Sequence, residues 1–300
     1  NRVDMSMQRF YEEYLPPYKA CIDAGARAIM PAFNDLWGVP CSVNPWLLMD
    51  VLRKDWGFDG LTVSDSNAIA ECVDHGIAKD RSDAAVQAIY AGMDLDMSSD
   101  VYHENLVQLV HEGKVPVDVL DRAVADVLRL KFELGLFDHP YKTSEEREAQ
   151  TLLTKENRSL AREAAVKSMV LLKNEGHILP LTPGTKVGVV GSLAKERAEM
   201  LGAWAIGAEG EDCVSLVDAL EERKQPFEYF ENVQDALDFD GVIIAAVGER
   251  KDMSGEAASR ACIELPKDQE EILKALAGAG KTVVAVLFNG RPLAMPWTAQ

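Results

Sequence analysis

The 300-residue chain is acidic, with 27% charged and 47% hydrophobic residues. Asp and Glu outnumber Lys and Arg by 49 to 31, and the resulting formal charge of −18 argues against phosphate backbones and anionic lipid as partners. No apolar run approaches the roughly 18 residues of a membrane-spanning helix. We therefore expect a soluble protein with neither a nucleic-acid nor a membrane partner. Composition leaves its compartment open, whether cytoplasm, periplasm or the outside.

The first half of the chain alternates strand-like and helical patterns. Strand-like runs at 27–33, 61–63 and 93–97 are each followed by a helical segment. Asn44, which precedes a proline, and Ser82 have the side chains that cap helix starts. This cadence is typical of βα units in a parallel sheet, either a doubly wound sheet or an eight-stranded barrel. Because a barrel needs eight units and only three are visible, we expect most of it to lie before Asn1 if the fold is a barrel.

An amphipathic helix is predicted at 115–134, near the end of the first domain, and its apolar stripe leaves Asp126 on the polar side. The polar stretch after it predicts a linker, and the βα cadence then restarts. Continuous apolar strands, which are usually covered on both faces, are expected at 186–191, 241–247 and 282–288. The predicted domains are 1–137, the linker 138–153 and a second α/β domain at 154–300, which also stops early.

Cysteine and histidine give no sign of a metal site or a disulfide framework. The five cysteines (Cys21, Cys41, Cys72, Cys213 and Cys262) include no CxxC pair, which favours isolated buried thiols. The five histidines form no catalytic triad or metal pattern, and we expect His75 to lie on the surface. A nucleotide-binding protein is disfavoured because the turn after residue 190 lacks the spacing of a phosphate loop.

Asp65 is the first candidate catalytic residue. It ends the short apolar strand at 61–63, and a carboxylate at the C-terminal end of a parallel strand lies in the active-site layer of such folds. The alternative is that Asp65 caps the next helix, since Asp is a favoured N-cap residue.

The charged loop at 248–260 is the second candidate. It follows the apolar strand at 241–247 and carries Glu249 and Glu256, either of which could supply a proton. Glu249 is better fixed by the strand but has a shorter reach. The alternative is a solvated loop with surface ion pairs of little energetic value.

Seven segments together resemble glycoside hydrolase family 3, the β-glucosidase group. They follow the family's order through nearly the whole chain: AIMPAFN (28–34), WGFDGLTVSD (56–65), AGMDLDM (91–97), VKSMVLLKN (166–174), GEAASR (255–260), IELP (263–266) and NGRP (289–292). The resemblance implies part of a (β/α)₈ TIM-type barrel followed by an α/β sandwich, with the active site between the two domains.

The resemblance also implies residue roles. Asp65 matches the catalytic nucleophile and Glu256 the general acid/base, which makes Glu256 the stronger choice over Glu249. Met30 and Phe33 match positions that line the sugar pocket. Arg260 matches a basic residue of the acid/base loop, and we count it among the substrate-binding residues.

The implied chemistry is retaining hydrolysis of a terminal β-D-glucosyl residue by an exo-acting β-glucosidase. Such an enzyme needs two carboxyl groups about 5–5.5 Å apart around the anomeric carbon. No metal or organic cofactor is required. Since Asp65 and Glu256 are far apart in the sequence, only packing between domains can bring them together.

Three positions depart from the family pattern. Ser66 stands where many relatives have an aromatic residue or histidine beside the leaving sugar, and Asn67 where Gly is common. Phe33 stands where a number of relatives have Tyr. The Lys-His pair that holds sugar hydroxyls in the family would fall before Asn1.

Alternatives therefore stay open. Within the family they are β-xylosidase and N-acetyl-β-glucosaminidase, although the Glu256 loop argues against the second. A non-catalytic carbohydrate-binding homologue is the alternative from another class. The expected partner is an oligosaccharide or β-glucoside substrate, and the sequence does not decide between a monomer and a homodimer.

Overall fold

The computed structural model describes residues 2–299, which form two compact units that divide between Glu148 and Ala149. Each unit has hydrophobic clusters of its own. Both combine helices with parallel strands, which confirms the predicted mixed α/β class. None of the helices within residues 2–299 has the length and apolar character needed to cross a membrane.

The first unit contains short parallel strand pairs surrounded by helices. Its strands are β1 (Arg2–Val3), β2 (Ala28–Ile29), β3 (Asp35–Leu36), β4 (Val39–Pro40) and β5 (Leu61–Thr62). β1 pairs in parallel with β3, β2 pairs in parallel with β5, and β4 turns back antiparallel on β3. An isolated parallel bridge joins Val63 to Leu95. The three strand-like runs of the sequence therefore lie side by side, although the third contributes only this bridge.

Helices make up much of the rest of the first unit, and the last of them along the chain runs across the division between the units. They are α1 (Met7–Arg9), α2 (Leu15–Asp23), α3 (Glu71–Asp74), α4 (Arg81–Ala91), α5 (Val101–His111), α6 (Val117–Glu133) and α7 (Glu145–Thr151), together with the π-type helices Phe10–Tyr14 and Trp46–Asp55 and the short 3₁₀ turn Cys41–Val43. Asn44 accepts a hydrogen bond from the Leu47 N–H, so it caps the helix Trp46–Asp55 as predicted. The predicted Ser82 cap is wrong, because α4 starts one residue earlier and Asp80 accepts the capping N–H of Asp83.

Helix α6 differs from its predicted orientation. Asp126 is buried, accepts a hydrogen bond from Arg129 and forms an ion pair with Arg53. Val124 and Leu128, members of the predicted apolar stripe, are 44% and 40% exposed. The predicted helix is confirmed, but part of the face that it turns toward the interior is held by the ion pairs of Asp126 rather than by buried apolar side chains. Within the predicted linker 138–153 the chain forms α7.

The second unit is built on one parallel sheet in the order β7-β6-β8-β9. Its strands are β6 (Val187–Val190), β7 (Phe227–Phe230), β8 (Val242–Gly248) and β9 (Thr282–Phe288). β6 is wholly buried and β8 nearly so, as their continuous apolar sequences predict. The sequence prediction did not include β7. It lies at the sheet edge, is partly exposed, and lacks the continuous apolar run that marks β6 and β8.

Helices and turns complete the second unit. They are α8 (Lys155–Ser168), α9 (Leu216–Glu222), α10 (Val233–Ala236) and α11 (Lys267–Gly278), with 3₁₀ turns at Ser192–Ala194, Arg197–Leu201, Gly210–Asp212 and Lys251–Met253. Buried Leu273 and Leu276 of α11 pack in the cluster that covers one face of β8. The carboxyl end of β8 is thereby held firmly, and the loop that carries Glu256 starts from it.

Candidate active site

Asp65 follows β5 at the carboxyl edge of the parallel strands. The Val63 N–H donates to the Ile29 carbonyl at 3.0 Å, and the Ser64 N–H donates to the Leu95 carbonyl at 2.9 Å. Strand segments on both sides therefore hold the backbone immediately before Asp65. The predicted alternative, in which Asp65 caps the next helix, is wrong, because α3 begins at Glu71 and follows Ala70.

The turn after Asp65 presents its carboxylate half-buried, with a hydrogen-bond donor. The Ser66 N–H donates to Oδ1 of Asp65 at 2.7 Å. Asn67 takes a left-handed φ of 64°, and its N–H donates to the Met97 carbonyl at 2.9 Å. Asn tolerates this conformation better than most residues, so it can stand where Gly is common in the family.

The predicted sugar-pocket residues lie near this edge. Met30 directly follows β2, whose residues pair with β5, so Met30 and Asp65 leave neighbouring parallel strands. Met30 is 40% exposed. Phe33 is half-buried and Ser66 exposed. No hydrogen bond within the part of the chain that the structure describes joins Phe33 to Asp65.

A buried charged cluster supports β5 beneath Asp65. Asp94, with a fully buried side chain, accepts a hydrogen bond from Arg53 at 2.6 Å and two from Thr62. Burial raises the pKa of Asp94, while the Thr62 N–H and the Arg53 charge act in the opposite direction. The sequence prediction missed this cluster. Its signal is the presence of Asp94 between apolar residues in the strand-like run at 93–97.

His75 is not a surface residue, contrary to the prediction. Its Nδ1 is hydrogen-bonded to the buried carboxylate of Asp35, and the side chain is only 15% exposed. The pair ties the turn after α3 to β3. The contact joins residues that are distant in sequence, so no local pattern could have indicated it.

In the second unit, Glu249 is buried and ion-paired. Its side chain is fully buried, and it accepts a hydrogen bond from Nη1 of Arg260. Arg291 lies on its other side, with Nε 3.5 Å from Oε2. Arg260, predicted to bind substrate, thus contacts Glu249 within its own unit, and a contact with substrate stays a prediction. A carboxylate so enclosed is poorly placed to reach a glycosidic oxygen.

Glu256 occupies the opposite kind of environment. It is exposed at the tip of a tight turn that is closed by a hydrogen bond from the Ala258 N–H to the Gly255 carbonyl. Ala257 takes a left-handed φ of 56°. Across residues 2–299, no hydrogen bond or ion pair engages the Glu256 carboxylate. Of the two glutamates considered from the sequence, Glu256 is therefore the one free to meet a ligand.

An exposed tryptophan lies beside this turn. Trp204 is 68% exposed, and a Cβ placed on Gly255 would lie 2.7 Å from the Cβ of Ala203 and 3.8 Å from Nε1 of Trp204. Gly255 therefore lets the turn pack closely against this segment. Sequence reasoning missed Trp204, although a tryptophan in a loop with glycines on either side was an available signal.

The described residues show no metal centre. Among residues 2–299, no group of three or more His, Cys, Asp or Glu side chains is placed to hold a metal ion. One depression in the first unit, of about 740 Å³, is lined by Asn67 but not by Asp65. This depression is therefore not the site of the Asp65 carboxylate.

Comparison with known proteins defines the class of protein. The glycosyl hydrolase family 3 N-terminal domain matches residues 1–130, and the family's C-terminal domain matches residues 169–300. The chain belongs to glycosyl hydrolase family 3, as its motifs predict, and it is a glycoside hydrolase sequence. The predicted fold class, a TIM-type barrel part followed by an α/β domain, is confirmed.

Particular relatives are β-glucosidases and β-xylosidases. The periplasmic β-glucosidase of Salmonella typhimurium is 36% identical over 98% of this chain and 44% of its own length. A β-xylosidase of Formosa agariphila is 33% identical over 99% of this chain and 45% of its own length. The crystal structure of β-glucosidase from Listeria innocua superposes with a TM-score of 0.89 at 39% identity, over 98% of this chain and 42% of that one. The chain thus spans less than half the length of these relatives.

Proposed function

We propose that the protein carrying this chain is a retaining, exo-acting β-glucosidase. The proposal depends on the contrast between the two carboxylates that the family motifs select. Asp65 lies at the end of a strand and accepts a hydrogen bond from the Ser66 N–H. Glu256 lies exposed in a turn, where none of the described residues 2–299 binds its carboxylate. The β-glucosidases of Salmonella typhimurium and Listeria innocua support the substrate class, since both match over 98% of the chain. A structure of the Listeria innocua protein is a complex with glucose.

In this proposal Asp65 is the nucleophile. Its ionised carboxylate attacks the anomeric carbon and forms a covalent glycosyl ester while the bond to the leaving oxygen breaks. The Ser66 N–H, 2.7 Å from Oδ1, stabilises the charge before attack and again when the ester is hydrolysed. The cluster around Asp94 keeps the strand end fixed, which limits the reorganisation that the reaction requires.

Glu256 is the general acid/base. Its carboxylic acid gives a proton to the leaving oxygen in the first step, and the carboxylate takes a proton from water in the second. Met30, Phe33 and Ser66 line the sugar site in this proposal. Residues 1–137 belong to the barrel, 138–153 form the linker, and 154–300 carry the acid/base loop.

Hydrolysis of 4-nitrophenyl β-D-glucoside by the full-length protein tests the proposal. We expect Asp65→Ala to remove nearly all turnover, and Glu256→Ala to lose activity on substrates with poor leaving groups and recover it with azide. Asp59→Ala and Glu222→Ala, at exposed acidic residues of the two units, are controls. Wild-type turnover in Asp65→Ala would disprove the nucleophile assignment.

β-Xylosidase is the second candidate. The Formosa agariphila relative at 33% identity over 99% of this chain carries that name. A matched panel of 4-nitrophenyl β-D-glucoside, β-D-xyloside and N-acetyl-β-D-glucosaminide separates the candidates by kcat/KM. A xyloside value above the glucoside value would assign the protein to β-xylosidase, and an inactive protein that still binds glucose would indicate the non-catalytic homologue.

A further inference from the structure

Arg291 binds the backbone of the Glu256 loop, defined here as residues 250–260. Its Nη2 donates hydrogen bonds to the carbonyl oxygens of Met253 at 2.6 Å and Ala258 at 3.1 Å. These two carbonyls lie three residues before and two residues after Glu256. One guanidinium group therefore joins both sides of the turn that presents the carboxylate.

The same guanidinium faces a buried charge. Nε of Arg291 lies 3.5 Å from Oε2 of Glu249, whose side chain is fully buried at the end of β8. Neither of these two atoms has a hydrogen-bond partner elsewhere among residues 2–299. The other oxygen of Glu249 is engaged by Arg260, the last residue of the loop. Glu249 is thus the fixed point to which two arginines attach the loop.

Close backbone packing strengthens this attachment. A Cβ on Gly290 would lie 2.2 Å from Oγ of Ser254, so the segment before Arg291 touches the loop directly. At Gly248, where φ is +141°, a Cβ would lie 1.9 Å from the Phe288 carbonyl oxygen. These glycines let β8, β9 and the Glu256 loop approach as side chains would not allow.

We propose that Arg291 is a positioning residue for Glu256, which sets the place from which its carboxyl group exchanges a proton with the glycosidic oxygen. This inference rests on the proposed function, in which Glu256 is the general acid/base. A general acid works only within hydrogen-bond reach of its acceptor, and a displacement of about 1 Å can cost about 100-fold in rate. Arg291 needs no contact with the substrate to have this effect.

The test compares leaving groups. A 2,4-dinitrophenyl β-D-glucoside needs little protonation of its leaving oxygen, whereas cellobiose needs much. For Arg291→Met in the full-length protein we expect kcat/KM on cellobiose to fall about 100-fold and kcat/KM on the dinitrophenyl glucoside to change by less than about 3-fold. The ratio of the two values does not depend on how much of the variant folds.

Two further variants sharpen the result. Arg291→Lys keeps the charge beside Glu249 but loses the planar donor group, so we expect an intermediate ratio. Arg223→Met removes an exposed arginine of the same unit and should leave the ratio unchanged. If kcat/KM in Arg291→Met falls equally on both substrates, the role of Arg291 is only structural and the inference is wrong. The inference is also wrong if kcat/KM falls on neither substrate.

Glu256→Ala distinguishes this failure from failure of the proposed function. If Glu256→Ala shows strong leaving-group dependence and azide rescue while Arg291→Met does not, only the inference about Arg291 falls. If Glu256→Ala itself shows no leaving-group dependence, its assignment as acid/base is wrong, and the positioning role falls with it.

Discussion

The buried carboxylate of Asp94 accepts hydrogen bonds from both the backbone N–H and the hydroxyl of Thr62, at 2.9 and 2.8 Å. Thr62 ends β5, three residues before Asp65. The Thr62 hydroxyl oxygen also accepts a hydrogen bond from the Asp94 N–H at 3.0 Å. The segment around Asp94 therefore fixes the strand that ends at the proposed nucleophile.

Loss of this contact should destabilise the first unit. We expect Asp94→Asn to lower the free energy of unfolding by up to about 3 kcal/mol, the lower end for breaking a buried ion pair, because Arg53 keeps Asp126 as its remaining charged partner. Thr62→Val should cost about 1–3 kcal/mol, since it removes hydrogen bonds from a buried oxygen. Urea denaturation, with hydrogen exchange to identify the unit that opens, measures both.

Asp59→Asn is the matched control for this cluster. Asp59 pairs with Arg27 on the surface, where its side chain is 70% exposed, and exposed pairs contribute at most about 1 kcal/mol. Equal losses for Asp94→Asn and Asp59→Asn would contradict the structural importance of the buried cluster.

The sheet of the second unit was largely predictable and the charged clusters were not. β8 is apolar throughout because β6 and β9 flank it and helix α11 packs against it, so its sequence alone marks it. β9 has a similar apolar run, but it lies at the sheet edge and is only partly buried, so the predicted cover on both faces is wrong for this strand. The pairs Asp94–Arg53 and Asp35–His75 each join residues about 40 apart. Only tertiary packing creates such contacts, so periodicity cannot reveal them.

The candidate site shows the same division. The resemblance to the family motifs selected Asp65 and Glu256. In the structure Asp65 is half-buried beside a hydrogen-bond donor, and Glu256 is exposed to solvent. The sequence could not tell that Glu249 is enclosed by Arg260 and Arg291, because both arginines reach it through loops. The sequence pattern of a charged residue directly after a strand is the same whether that residue takes part in catalysis or only anchors a loop.

Gly248 should be intolerant of any side chain. Gly248→Ala would place a Cβ 1.9 Å from the Phe288 carbonyl at a φ of +141°, so we expect a loss of at least about 3 kcal/mol through backbone strain and displacement of strands. Gly278→Ala is the control, since nothing lies within 4 Å of that helical position. Alanine there should stabilise by about 0.5–1 kcal/mol. Thermal unfolding of the two variants should therefore shift in opposite directions, and a neutral Gly248→Ala would contradict the packing.

The buried thiols should resist alkylation. Burial, with a smaller effect of the Asp35 charge, raises the pKa of Cys41 and of Cys72 to about 11. At pH 8 their thiolate fraction is then about 100-fold below that of a thiol with a pKa near 9, and enclosure slows reaction further. Cys21 and Cys262 are exposed.

Iodoacetamide labelling followed by peptide mass spectrometry gives the rate for each cysteine. We expect rapid modification of Cys21 and Cys262 in the native protein, and modification of Cys41 and Cys72 only after addition of urea. Native labelling of Cys72 at the rate of Cys21 would show that the first unit is more open than the structure indicates.

Asp218 should make stability depend on acid pH. Bidentate hydrogen bonds from Arg197 at 2.7 Å, together with those from Ser215, hold the pKa of Asp218 well below its usual range. A carboxyl group whose pKa is lowered by folding stabilises the folded state above its unfolded pKa, near 4. That contribution is lost as the pH falls toward the lower, folded pKa, because the native carboxylate must then be protonated.

Asp218→Asn removes this dependence. The variant should be less stable than the wild type by about 1 kcal/mol at pH 7, the upper end for an exposed ion pair. The difference should shrink as the pH falls from 4 toward 2, because protonation costs the wild type its advantage. Urea denaturation at pH 7, 5, 4 and 3 measures the trend, with the exposed Asp238→Asn as a control. A difference that stays constant or grows toward low pH would mean that Asp218 stabilises helix α9 by its shape rather than its charge.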